Sequence, residues 1–378
     1  MRGLSNIFYE LIRVAIGTQE HLSRLPSEAE WKELFEMAEK QSLVGICFLG
    51  LQKLGADAVE GFLQIGMSED LYLVWMSMAT QINMRNDVVN EQCAALQKRL
   101  ATDGFRSSIL KGQAVAMLYG EDLRGFRQSG DIDIYVDCGR ERAIEYARSI
   151  QGDVDWDYKH LHLNMFDTSA DSATATAVEM HYVPEVLLNL WKNRKLQKWF
   201  KENREEMFTS TNFSNSSNIS TPSAEFNLFY ILLHTYRHFL YEGVGMRQLM
   251  DYFFVLRASS KIPSSKIQEV TRTIEVFDMK KFASGVMWIT KEVFGISEQL
   301  LLCEPDEKEG SYILSEVMTG GNFGHYDERL EDDKTHGKMR SIKKILKHNL
   351  YLLTHYSADT LWTPVWIVYH WCWKKLHR

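Results

Sequence analysis

Asp131 and Asp133 stand two apart in a run whose other members are Ile132, Ile134 and Val136. Side chains alternate across a strand, so this spacing predicts both carboxylates on one face and the aliphatics in a core. Two carboxylates that close repel each other unless a cation or a proton lies between them. An edge strand with a solvated acidic face would carry the same spacing, so the flanks decide. Upstream, Phe105 to Leu110 reads as a strand that breaks at Lys111-Gly112 and enters a helix ending near Gly120. Such a turn can aim backbone N–H groups at phosphate. Arg127 and Gly130 lead into the acidic run, and Ala177 to Val183 reads as a later strand with Glu179 and His181 sharing a face.

The elements that must position these residues follow from periodicity. After Asp131 to Val136, Arg140 to Ile150 reads as a helix turning Ala143, Ile144, Ala147 and Ile150 inward. Trp156 to Phe166, in which His160, His162 and Asn164 alternate with Leu161, Leu163 and Met165, pairs with Ala177–Val183 as a hairpin across a loose turn, Asp167 to Thr176. Before this mixed segment the chain reads as helices. Trp31, Leu34, Phe35 and Ala38 form one face, with Ser27 and Glu30 as a capping box, and a second stripe runs from Leu71 through Val74, Trp75, Met78 and Ile82 towards Leu96. After Pro184 the chain reads as helical again, interrupted by a Ser/Thr/Asn-rich stretch, 209–223, that reads as a flexible loop. The predicted organisation is a helical region 1–101, a mixed core 102–184 and a helical domain 185–378.

Composition narrows the classes. The 378 residues are 45% hydrophobic and 25% charged, as in ordinary globular proteins, and the net charge of −7 argues against broad nucleic-acid binding. Five scattered cysteines without a Cys-x-x-Cys suit reduced thiols in a cytoplasmic setting and give no zinc spacing. The opening stretch, interrupted by Glu10 and Arg13, reads as an amphipathic helix and not a secretion signal, so the sequons at Asn212, Asn215 and Asn218 read as compositional coincidences. No apolar run of the ~18 residues that suggest a spanning helix occurs. The tail from Leu361 to Trp373 carries four tryptophans before a basic end, which suits contact with a membrane surface, a partner or the chain's own helices. His234 and His238 have the i, i+4 spacing of a zinc helix, but no glutamate follows the first and no third ligand is evident, so helix–helix hydrogen bonding is the expectation.

Taken together, Leu110-Lys-Gly112, Leu118-Tyr119, Arg127-x-x-Gly130-Asp131-Ile-Asp133-Ile-x-Val136 and Val178-Glu179-Met-His181 resemble the nucleotidyltransferase superfamily. Within it, they resemble the family of uncharacterised bacterial nucleotidyltransferases. His234, His238 and Arg247-x-x-x-Asp251 resemble that family's helical part more loosely. Better-known members carry Gly-Ser where this chain has Lys111-Gly112. The resemblance implies a helix-rich α+β chain with a small mixed-sheet core of the DNA polymerase beta-like type, flanked by N-terminal and C-terminal helical regions.

It also implies a reaction: transfer of a nucleoside monophosphate from a nucleoside triphosphate, ATP among the candidates, to an unidentified hydroxyl with release of pyrophosphate. Mg²⁺ or Mn²⁺ would be held by Asp131, Asp133 and Glu179, because two such ions about 3.5–4 Å apart stabilise attacking and leaving oxygens together. Lys111 and Arg127 would offset triphosphate charge, Gly112 and Gly130 would present backbone to the nucleotide, and His181 and Asp251 would support. Each has a plainer reading: Glu179 as an exposed strand residue, His181 as packing, Arg127 as a salt-bridge partner, Asp251 as the partner of Arg247. Two other classes fit parts of the pattern. One is a non-catalytic nucleotide-binding or toxin–antitoxin-type partner protein of the same fold. The other is an Asp-x-Asp metal-dependent glycosyltransferase, disfavoured because no Rossmann-like half is evident.

Overall fold

The computed structural model describes residues 2–56, 61–166, 175–214, 217–330 and 338–377. Asn215, most of the turn expected over Asp167 to Thr176, and residues 331–337 lie outside them. The fold is helix-rich α+β, with a four-stranded mixed sheet and a two-stranded one. Two compact units interleave along the chain. One comprises Met1–Val88, Val115–Ser129 and Val244–Tyr326, and the other Val89–Ala114, Gly130–Gly243 and Asp327–Arg378.

The first unit is helical. Ser27 and Glu30 form the expected capping box at the start of helix Glu28–Lys40, which buries Trp31, Leu34, Phe35 and Ala38. The indole N–H groups of two fully buried tryptophans find carbonyls, Trp31 donating to Ile65 O (2.8 Å) and Trp75 to Val44 O (2.9 Å). Without those bonds, burying either ring would leave a polar group unsatisfied. Gly45 is required by contact: a Cβ there would stand 2.4 Å from Phe126 O.

Helix Glu69–Thr102 continues through both units. Its buried stripe is Trp75, Ala79, Asn86, Val89, Cys93, Leu96 and Leu100, and Val74, expected inside, is exposed. At 100° per residue, Val74 and Trp75 cannot share one narrow face, and the bulkier ring takes the core.

The second unit holds the sheet. Its strands are β1 (Ser107–Leu110), β2 (Ile132–Val136), β3 (His160–Leu163) and β4 (Val178–His181), in the order β1-β2-β4-β3. β2 pairs antiparallel with β1 and parallel with β4, while β3 and β4 form the expected antiparallel pair. β3 is shorter than the alternation from Trp156 suggested, with Trp156 making only an isolated bridge to Leu161. Between β2 and β3, helix Arg140–Gln151 buries Ala143, Ile144 and Ala147, whereas Ile150, in its last turn, is exposed. The helix after Lys111 stops at Ala116, and Gly120 is the N-cap of the short helix Glu121–Arg124 and not a helix end.

The Ser/Thr/Asn-rich stretch is not a loop through its described part. β5 (Thr209–Ser214) and β6 (Ser217–Thr221) pair antiparallel. Composition hides this because the ordering contacts are distant in sequence. The Gln97 amide donates to Ser107 O (3.1 Å) and Ser220 O (3.0 Å) and accepts from Ser220 N (2.8 Å), while Ile219 and Thr221 are buried.

Helix Ala224–Tyr241, capped by Ser223, is buried along most of its length. In the C-terminal helix Trp362–His377, Trp366 packs with Val186 and Leu188, and Trp373 meets Trp156 and Tyr158 edge-on, so the aromatic tail packs on its own unit. Trp371 stays exposed. Among the described residues no helix is long and apolar enough to cross a membrane.

Gln97→Leu leaves Ser220 N–H and the Ser107 and Ser220 carbonyls without their partner. The expected loss is about 1–3 kcal/mol, read as a lower urea midpoint at unchanged slope.

Candidate active site

The register of β2 assembles the site. Ile132, Ile134 and Val136 are buried in the core, while Asp133 lies opposite Glu179 of β4 and opposite Leu110 of β1. Lys111 follows Leu110 directly and returns its ammonium to Asp133 Oδ1 at 2.7 Å. The chain reverses there through two successive positive-φ residues, Lys111 (φ 47°) and Gly112 (φ 24°). A lysine in the left-handed region is strained, and the buried ion pair is the contact that holds it. Asp131 precedes β2 and is exposed, as is Gly130, at which a Cβ would meet open space.

His181 is fully buried, with Nε2 2.7 Å from Asp133 Oδ1 and 3.3 Å from Glu179 Oε2. A carboxylate only accepts, so Nε2 carries the hydrogen and Nδ1 is left as an acceptor. That Nδ1 is buried with no hydrogen-bond partner, as is Nδ1 of His160. His160 and His162 face the same cluster across the hairpin, with register His160 opposite His181 and His162 opposite Glu179. His160 Nε2 lies 3.6 Å from Glu179 Oε1.

The charges are strongly coupled. Burial opposes ionisation of Asp133, but Lys111 and then His181 hold its carboxyl well below the usual range. Burial likewise opposes the Lys111 charge, and Asp133 more than offsets it, leaving the ammonium above its ordinary value. Glu179 is lowered to about 2 against burial, by its hydrogen bond with His181. Asp131, although exposed at its surface, is raised to about 6, by the charge of Asp133 first, then by the water that the surrounding protein displaces, then by Glu179. Burial, followed by the neighbouring His181, lowers His160 to about 3, so its ring is neutral near pH 7. Oxygen and nitrogen donors from Asp133, Glu179 and His181 lie within 4.8 Å of one another, the spacing of a set able to close on one cation.

A second polar cluster lies in the same unit. Glu185, fully buried, accepts from His234 Nδ1 (2.8 Å) and pairs with Arg237 Nε (2.9 Å) and Lys159 Nζ (3.5 Å). Arg237 and Lys159 overcome burial and hold the Glu185 carboxyl well below its usual range. The His234 and His238 rings are 4.3 Å apart, but their Nδ1 atoms turn to different carboxylates, Glu185 and Glu242. The two Nδ1 atoms therefore do not converge on one metal position, and the contacts of the pair include the buried loop carboxylate Glu185, Glu242 and Arg237.

Arg127 and Asp251 both belong to the other unit. Arg127 Nε and Nη2 donate to Asp251 Oδ1 and Oδ2 at 2.7 and 2.8 Å, and Tyr119 OH donates to Oδ1 at 2.7 Å. This bidentate pair occupies the guanidinium expected at a triphosphate. Arg247 Nη1 donates to Gln128 O at 2.6 Å.

Of the site residues expected from sequence, Lys111, Asp133, Glu179 and His181 meet in one cluster, with Asp131 electrostatically part of it. Arg127 and Asp251 pair with each other. His160 and His162 were missed as site residues. The signal that could have found them is their alternation on a strand that a hairpin must return beside Glu179.

The sequence model of a family described as uncharacterised nucleotidyltransferase matches residues 27–295. The chain belongs to this nucleotidyltransferase family. Its matched span includes every residue of the acidic cluster and both histidines of β3. A solved structure, an antigenic nucleotidyltransferase-like protein from Paracoccidioides brasiliensis, is similar at 13% identity over 53% of this chain and 92% of its own, with a TM-score of 0.32. No curated protein matches.

Asp131 costs the folded chain stability above its raised pKa. Its proton leaves near pH 6 in the folded chain and near 3.8 in the unfolded one, so stability falls as pH rises from 3.8 to 6 and stays lower above it. Asp131→Asn should be more stable than wild type above pH 6, with no difference below 3.8. Solvent screening at this open carboxylate limits the gain to about 1 kcal/mol. Urea unfolding across that range checks it.

Proposed function

We propose that this chain transfers a nucleoside monophosphate from a nucleoside triphosphate to a hydroxyl acceptor, releasing pyrophosphate, at the sheet face that carries Asp131, Asp133 and Glu179. The observation that carries this reading is the parallel register of β2 and β4, which sets Asp133 opposite Glu179 with Asp131 raised to about 6 beside them. Two carboxylates held opposite each other, with a third two residues before Asp133 in the chain, are a site prepared for positive charge.

Asp131, Asp133 and Glu179 would hold Mg²⁺ or Mn²⁺, and His181 Nε2, already on both Asp133 and Glu179, fits as the group that orients them. Such a metal supplies Lewis-acid stabilisation of phosphoryl oxygens. The remaining roles fall to the protein. Lys111, anchored on Asp133, puts a fixed ammonium where phosphoryl oxygens would approach the carboxylates. The Lys111-Gly112 reversal presents backbone N–H groups at the start of helix Gly112–Ala116, and exposed Gly130 leaves room beside Asp131. Glu179, between His160 and His181, would hold the cation on the side where the acceptor hydroxyl approaches. Arg127 takes no part in this reading, because Asp251 occupies it.

One observation favours the non-catalytic alternative, a nucleotide-binding partner protein of the same fold. The Lys111 ammonium already pairs with Asp133 Oδ1, and His181 Nε2 hydrogen-bonds the same oxygen, without any metal. Incubating the protein with a panel of labelled nucleoside triphosphates, Mg²⁺ and a cell lysate separates the two. The transferase reading expects label on an acceptor with stoichiometric pyrophosphate. Asp131→Ala and Asp133→Ala should each lower turnover on the order of 100-fold or more. Nucleotide-dependent thermal stabilisation with no turnover would sink it in favour of the alternative.

A further inference from the structure

The hairpin that returns Glu179 to Asp133 also builds a nitrogen-rich set on the same sheet face. His160 and His162 are two apart on β3, with Leu161 and Leu163 between and beyond them buried in the core. Their rings are 5.3 Å apart and nearly perpendicular. Donor atoms of His160, His162 and Glu179 all lie within 4.8 Å of one another, a group separate from that of Asp133, Glu179 and His181 and sharing only Glu179 with it. We propose that His160, His162 and Glu179 form a second cation site, for a borderline first-row divalent ion such as Zn²⁺ and not for Mg²⁺, with Glu179 common to it and the carboxylate site.

The chemistry of the donors sets the class of ion. Imidazole nitrogens suit zinc and its neighbours, whereas magnesium selects oxygen ligands and keeps much of its water. Two histidines and one carboxylate fill three positions of a tetrahedral ion and leave the fourth open. His160 is mostly buried, with its Nδ1 among the buried polar atoms that have no hydrogen bond, while His162 is exposed and gives an ion a way in.

The outer edge of β3 is fastened as a ligand strand should be. His162 N donates to Asp155 O at 3.1 Å, Gln151 Nε2 donates to His162 O at 3.1 Å, and Asn164 N donates to Gln151 Oε1 at 2.8 Å. These bonds hold the His162 backbone, so only its side-chain torsions must adjust to close on an ion. The plainer reading is that these histidines only pack: the His160 ring lies 5.1 Å from that of His181, and His162 is a solvent-facing strand residue. That arrangement predicts no selective affinity.

The test does not require the transferase reading. Tag-free protein, stripped with a chelator, is titrated with Zn²⁺ by calorimetry in millimolar Mg²⁺, and with Co²⁺ by visible absorption as a report on nitrogen ligation. Saturable binding of one Zn²⁺ per chain that Mg²⁺ does not displace is expected, with Co²⁺ bands lost in His162→Ala. Because His162 is exposed, that variant should keep the wild-type melting temperature. Its Zn²⁺ affinity should fall by more than the roughly 10–100-fold that removing an outer-shell partner costs. Asp131→Asn should bind Zn²⁺ as wild type does. Absence of saturable binding, equal affinity in His162→Ala, or equal competition by Mg²⁺ overturns the proposal. Zinc binding without nucleotidyl transfer would sink only the transferase reading, and transfer without zinc binding only this one.

Discussion

The parallel pairing of β2 with β4 is the constraint on which the site depends. Once Ile132, Ile134 and Val136 enter the core, Asp133 must face the other way, and the register puts Glu179 beside it. Two carboxylates forced together in a partly buried place need compensation. The neighbouring elements supply it through Lys111 from the end of β1 and His181 from β4 itself. Removing one partner of such a buried pair costs about 3–5 kcal/mol, because the other charge is left uncompensated. The cluster is therefore integral to the sheet's stability as well as poised for chemistry, and Asp131, raised to about 6, is the member that remains undercompensated.

The same logic of buried compensation recurs around Glu185. A fully buried carboxylate is tolerated because His234, Arg237 and Lys159 converge on it from separate segments. Burial lowers His234 and His238, so these rings act as neutral hydrogen-bond groups. In the helical unit Arg127, Asp251 and Tyr119 make a third closed network. Arg127 and Asp251, expected beside the nucleotide, are paired with each other, and buried charges in low local dielectric need such partners.

Local patterns with a single physical cause were legible in advance. The capping box at Ser27 and Glu30, the face of Trp31, Leu34, Phe35 and Ala38, the strand alternation around Asp133, and the hairpin of β3 and β4 all follow from periods of 3.6 or 2. Errors arose where two periodic choices competed or where ordering came from afar. Val74 and Trp75 competed for one face, and Ile150 lay at a helix end where the face no longer meets the core. The stretch from Thr209 looked unstructured because nothing local marks Gln97 as the residue that fastens it.

By itself, the sequence determined which residues could carry charge next to one another: Asp133 opposite to the aliphatics of its strand, Glu179 with His181 through the two-residue period, and Lys111 at a turn that glycine permits. Those are relations within one element, and backbone geometry decides them. Only the tertiary structure decided which side chains meet across elements. It gave Arg127 to Asp251, turned His234 to Glu185, and brought His160 and His162 beside Glu179. Sheet register and buried charge pairing are properties of segments far apart in the chain, and no local period encodes them.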